Sequence, residues 1–263
     1  MTKVPTRTRP REGFSSPPPP RPAWLKADAQ GELRDDVAVR HVVGWIPGVR
    51  GVAGDQLDNQ VVAVLAQYDT LPARPTEPPS QGANDNASGV AVLLEFARLL
   101  TETEYAPNRS FLLVAYSATG WDGGEFRGEP GAEEFLRKSI FPVGRYTVEG
   151  AIHLRALGFG ASSRLSIEPS GGMRLSNLFR SAASRMGGRM VVSETVVDLR
   201  SAISGKLATE RGEKTPEATI CYERWWEATG SGDPVASVDP TRLERAGRAV
   251  ALGLMIMGSE RQY

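Results

Sequence analysis

Two hydrophobic runs constrain this chain more than anything else in it. QVVAVLAQYDT (60–70) and SFLLVAYS (110–117) are continuous apolar stretches rather than alternating ones. That pattern belongs to strands buried on both faces, as in a parallel sheet covered on both sides. Between them, Ser88 to Thr103 carries Val90, Val92, Leu93, Phe96, Leu99 and Leu100 at helical spacing.

The rest of the chain continues the alternation. HVVGWIPG (41–48) reads as a short strand ended by Pro and Gly, and 71–82 as a polar, Pro-rich loop. GAEEFLRKSI (131–140) reads as a short helix, with strands at GAIHLRALGFG (150–160) and RLSIEPS (164–170). LSNLFRSAASRMG (175–187) is helical and stops at the Gly187–Gly188 pair. The last element is the best specified: Asp239 suits an N-cap and Pro240 the first helical position, leading into TRLERAGRAVALGLMIM. Strands alternating with helices imply an α/β fold, a three-layer αβα sandwich around a mixed, mostly parallel sheet.

At 263 residues the chain can hold one large domain with a full core, assigned here to 23–263, and it shows no internal repeat. Residues 1–22 are rich in Pro, Arg, Thr and Ser and have little to bury, so they read as an extended, polyproline-like arm. Their PPPPRP run makes the arm a candidate docking segment for a protein partner, with a plain linker as the alternative. Acidic and basic residues balance at 31 each, which argues against nucleic acid or an anionic membrane as partner. Cys221 is alone, so the chain can form no internal disulfide and has no CxxC. Two histidines, His41 and His153, are few for a zinc hydrolase. The longest apolar candidate, AVALGLMIMG (249–258), falls short of the roughly 20 residues a membrane-spanning helix needs. No apolar leader is visible at the N-terminus, which sets the expectation at a cytoplasmic protein.

The order VVAVLAQYDT, GANDNASGVAVLLEFARLL, FLLVAYSATG resembles the M28 family of zinc aminopeptidases. There a strand ends in AHYDS, GANDNASG opens a helix, and the next strand ends in SGEE. The resemblance spans about residues 40–257 and is loose between 170 and 228, where LRSAISG (199–205) is the nearest match to one family loop. It implies a zinc-exopeptidase fold and a site of two metals roughly 3.5–4 Å apart, with a carboxylate general base.

Carried over residue by residue, the resemblance leaves most of that site empty. Gln67 stands where the first zinc-binding His belongs, Thr119 at the general-base Glu, and Gly120 at the next zinc-binding Glu. Arg155 takes the place of a zinc-binding Asp, and Thr229 that of the last zinc-binding His. Asp85 matches the bridging carboxylate and is the one ligand retained, in a loop whose Asp85–Asn86 peptide bond is often cis in the family. Asp69 and Asp233 match supporting carboxylates behind the ligands. No metal is therefore expected at this vestigial site, and no catalytic residue.

Two readings of the retained acids compete. Asp85, Asn86 and Ser88 all stand where side chains cap a helix start. Alternatively, Asp85 left in a half-buried pocket without zinc needs a compensating charge, and Arg155 supplies one by pairing with Asp85 or Asp69. Nearby Glu125 is a weak substitute ligand. His153, two residues before Arg155 on the expected strand, reads as a satisfied histidine at the core edge, and His41 lies far from any motif.

The expected function is a catalytically inactive M28-like protein acting as a binding or assembly module through a protein partner or self-assembly. One alternative is an active zinc peptidase with a rebuilt or single-metal site using Asp85, Asp233, Glu125 or His153. The other is a structural subunit that docks through its Pro-rich arm.

Overall fold

The computed structural model describes residues 24–27, 33–38, 41–49, 59–70, 80–116, 121–122, 125–126, 146–170, 173–192, 216–224 and 232–260. A hairpin of β1 (Trp24–Ala27) and β2 (Leu33–Ala38) comes first. The main sheet is built from β3 (Val42–Ile46), β4 (Gln60–Gln67), β5 (Ser110–Tyr116), β8 (Thr147–Leu154), β9 (Leu165–Ser170), β10 (Met190–Val192) and β11 (Glu217–Tyr222). Between them in sequence, β6 (Trp121–Asp122) and β7 (Glu125–Phe126) form a two-stranded ribbon.

The seven strands lie in the order β10-β9-β11-β8-β4-β5-β3. β11, β8, β4 and β5 run parallel, and β10 is parallel to β9; β9 opposes β11, and β3 opposes β5 at one edge. The fold is thus α/β with a mixed, mostly parallel sheet. The two hydrophobic runs are its centre: Val61 to Ala66 in β4 are all completely buried. This is what a charge-free run demands when both its faces meet protein.

One face of the sheet carries α1 (Ser88–Glu102), α2 (Arg174–Arg185) and α3 (Pro240–Ser259). Their Phe96, Phe179, Val250 and Leu254 share a single core with Val62, Val64, Ile152 and Ile220 of the strands. The opposite face holds Val61, Ala63, Leu65, Leu112 and Val114, also buried. The third layer expected from the sequence lies outside the described residues. Asp239 caps α3 as expected, its Oδ1 accepting from the N–H groups of Thr241 and Arg242.

Among the described residues, Arg109 is the largest fully buried side chain. It donates to the Met257 and Glu260 carbonyls at the end of α3 and to Gln60 Oε1, tying that helix end to the start of β4. No described helix is long and apolar enough to cross a membrane. The 1–22 arm and the expected helix at 131–140 lie outside the described residues.

Candidate functional site

The loop from Gly82 to Ser88 lies at the C-terminal ends of β4 and β8, the edge of an open α/β sheet where sites usually form. Gly82 enters it in the left-handed region at φ 64, and the Asp85–Asn86 peptide bond is cis. Gly89 closes it. A Cβ there would stand 2.5 Å from Asn86 Oδ1 and 2.6 Å from the Leu154 carbonyl, so only glycine lets the helix start so close to β8.

Nearly every polar side chain in this loop points inward and is used. Asn84, 1% exposed, accepts from the Gly158 and Phe159 N–H groups at 3.0 and 2.8 Å and donates to the Phe159 carbonyl. Asn86 donates to the carbonyls of Gln67 and Leu154 and accepts from the N–H groups of Gly89 and Ala156. Ser88 donates to the Asn84 carbonyl and accepts from the Leu157 N–H. Three alternate side chains of the loop thereby fix the chain after β8, where Ala156 adopts φ 46.

Asp233 braces the same loop from the other side. Its Oδ2 accepts from the N–H groups of Asn84 and Asp85 at 2.9 and 2.8 Å, and its Oδ1 from the Ser237 hydroxyl at 3.1 Å. Both carboxylate oxygens are occupied by protein donors. The residue is buried, and its backbone lies at φ 35.

Asp85 meets Arg155. Nε stands 3.1 Å from Oδ1 and Nη2 3.3 Å from Oδ2, a two-pronged contact between side chains only 14% and 20% exposed. Gln67 Nε2 adds a longer contact to Oδ1 at 3.4 Å. Of the two carboxylates the sequence offered Arg155, it takes Asp85. The capping role expected of Asp85 is therefore corrected: its carboxylate is committed to a guanidinium. Of the three residues expected to cap, only Asn86 bonds the first turn of α1, because Ser88 is already helical and turns to the chain after β8.

Three further expectations change. The strand expected over 150–160 ends at Leu154, so Arg155 falls outside it and the side-chain alternation with His153 does not extend that far. His153 lies buried on β8 with Nε2 4.0 Å from a Glu217 oxygen, and neither ring nitrogen has a hydrogen-bond partner. It is not the satisfied histidine expected. Burial, helped by the nearby Arg155 charge, pushes its pKa down to about 4. His41 is not remote either. Because β3 runs against β5 and pairs Val42 with Ala115, its start lies at the same sheet edge as Gln67, which pairs with Tyr116. Burial lowers the His41 pKa, and the charge of Asp69, two residues beyond Gln67, opposes that shift.

Thr119, Gly120, Thr229 and 199–205 lie outside the described residues, as does the Glu125 side chain. Among the described residues, no three His, Cys, Asp or Glu side chains gather as a metal site would require. Among the described residues, those at the site do not fit a metal: the Asp85 oxygens face a guanidinium, those of Asp233 face N–H and O–H donors, and the Gln67 amide turns its NH2 toward Asp85. Of this arrangement, sequence reasoning missed the inward-facing Asn84; its place in the motif was the only available signal.

The sequence pattern of peptidase family M28 matches residues 49–202, more than half of the chain. Among solved structures, the zinc aminopeptidase BSAP from Bacillus subtilis is similar with a TM-score of 0.60 and 19% identity. That match covers 84% of this chain and 50% of the Bacillus one. LapA from Legionella pneumophila gives 0.63 at 17% identity, over 84% of this chain and 57% of that one. A leucine aminopeptidase precursor from Bacteroides thetaiotaomicron gives 0.57 at 20%, over 88% and 82%. At these identities the likeness shows the fold. The chain spans about half the length of the Bacillus and Legionella chains.

Proposed function

This chain belongs to peptidase family M28, and from that premise we propose that it is a pseudoenzyme, an M28 fold that serves as a binding or assembly module rather than a hydrolase. The observation that carries this reading is the two-pronged contact of Arg155 with Asp85.

Dizinc hydrolysis requires carboxylate lone pairs turned toward two cations and a base to activate water. Here the retained carboxylate already has a cation, one that does not deprotonate. A zinc ion brought alongside would compete with a fixed positive charge. Charges of +1 and +2 about 4 Å apart repel by roughly 8 kcal/mol at an effective dielectric of about 20. The residue types at the matching positions point the same way. Thr119 and Gly120 offer no carboxylate, and losing a general base alone costs about 10²–10⁴ in rate.

Further support comes from the polar side chains around the loop. Asn84, Asn86, Ser88 and Asp233 are all spent on holding it, which keeps the loop's shape without any ion. A rigidly held loop without metal chemistry suits recognition of a partner, with the 1–22 arm as a second attachment point.

Zinc stoichiometry tests the proposal: elemental mass spectrometry on chain purified without chelator and dialysed against micromolar zinc. Well below one zinc per chain is expected, with no release of amino acids from aminopeptidase substrates. One or two tightly held zinc ions with peptidase turnover would overturn it. Concentration-dependent mass measurements on chains with and without residues 1–22 test the assembly role.

A further inference from the structure

A cleft of about 380 Å3 opens between α2 and α3, beside the first residue of β9 and the last of β11. None of the residues around Asp85 lines it. Its floor is apolar and buried, formed by Leu165, Tyr222 and Ala249 among others, and its rim carries Arg164, Arg189 and Arg245.

Several described surface arginines are held by carboxylates. Arg98 on α1 is held by Glu95 and Glu102, and Arg248 on α3 by Glu244. At the cleft, Arg164 is held by Glu223 at 2.7 Å. Among the described residues neither Arg189 nor Arg245 has a carboxylate partner; the chain from Met173 to Val192 contains no Asp or Glu, and of its four arginines Arg174 is held by Glu149 at 2.8 Å.

Gly188 lies between Arg189 and Arg245. α2 ends in a turn with Gly187 at φ 71, and the Gly188 N–H returns to the Ala183 carbonyl. The Arg245 stem from α3 then lies across Gly188, its Cγ and Cδ 3.6 Å from where a Cβ would stand. Arg189 is the next residue. Arg245 and Tyr222 line the same cleft: burial pushes that phenol up, and the charge of Arg245 is the largest of those opposing the rise.

Two guanidinium forks without counter-charge, above an apolar floor, are complementary to a group with two negative charges and several acceptor oxygens. A carboxylate has one charge and two oxygens, enough for one fork; a phosphate monoester has nearly two charges and three free oxygens. The volume falls within the roughly 300–1,000 Å3 of small-ligand sites. With 31 acidic against 31 basic residues the chain offers no broad positive field for a polyanion. We propose that this cleft binds a small phosphate monoester, its phosphate between Arg189 and Arg245 and its apolar body on Tyr222, Leu165 and Ala249. The inference does not depend on the state of the Asp85 site.

Phenyl phosphate, titrated calorimetrically into the full chain at physiological ionic strength, is the test, with inorganic phosphate and benzoate as controls. Phenyl phosphate is expected to bind with a Kd below about 1 mM, more tightly than either control. The Arg189→Gln, Arg245→Gln double variant changes two exposed side chains and should weaken binding at least tenfold, while Arg98→Gln should leave it unchanged. Absence of binding, equal binding by the double variant, or benzoate binding as well as phenyl phosphate would each overturn the proposal.

Discussion

Arg155 and Asp85 face each other in register, Nε to Oδ1 at 3.1 Å and Nη2 to Oδ2 at 3.3 Å, across 70 residues of sequence. A pair this enclosed is worth more as a pair than as a sum, because removing one partner strands the other. Arg155→Met alone is expected to cost about 2–3 kcal/mol in urea denaturation. Combined with Asp85→Asn, it should cost less than the sum of the two single changes by at least about 1 kcal/mol. Additive effects would mean that the contact contributes nothing to the fold.

Asn84 is the hinge pin between the loop and the chain after β8. Its side chain serves two N–H groups and one carbonyl, all on Gly158 and Phe159. Asn84→Ala leaves those groups unsatisfied in a buried place, and a loss of about 2–3 kcal/mol follows. Hydrogen exchange should localise the effect, with the Gly158 and Phe159 amides losing protection while those of β4 keep theirs.

What could be read from the sequence divides along physical lines. β4, β5 and α1 were legible because burial is written in residue type: Val61 to Ala66 cannot face water, and Val92, Leu93 and Phe96 repeat at the helical period. α3 was legible at its start because Asp239–Pro240 has a local meaning. Arg155 as the partner of Asp85 followed from charge compensation, a long-range argument that needs only one candidate cation. The end of β8 was not legible. Leu154, Arg155 and Ala156 continue an apolar-rich run, and the strand stops there because Asn86 and Ser88, far away in sequence, capture the N–H groups of Ala156 and Leu157. His41 failed for a topological reason: nothing local says that β3 runs against β5, which is what carries its start to the site edge.

His153 predicts a pH dependence. Its folded pKa, about 4, lies below the ordinary histidine value of 6.5 because burial disfavours the charged ring. The Glu217 oxygen at 4.0 Å is too distant for a hydrogen bond that would offset this. Between pH 6.5 and 4 the unfolded chain takes up a proton that the folded chain does not, so stability falls as pH falls through that window and is unaffected above it. At 1.36 kcal/mol per unit, this group should account for about 2–3 kcal/mol by pH 4.5. Urea midpoints of His153→Leu should decline less than those of the parent over the same range; parallel declines would assign the acid sensitivity elsewhere.

Gly253 sets how closely α3 approaches α2. It lies mid-helix, where alanine would ordinarily gain about 1 kcal/mol. A Cβ there would stand 2.4 Å from both Cδ1 and Cε1 of Phe179, a ring that is completely buried and has no room to withdraw. Overpacking of this kind costs about 1–3 kcal/mol, so the clash outweighs the propensity gain and Gly253→Ala should be destabilising. The same substitution in a Phe179→Leu background tests the cause. With the ring removed the collision is relieved, and the change should become neutral or stabilising. A penalty of equal size in both backgrounds would place the constraint in the helix backbone rather than in the contact with Phe179.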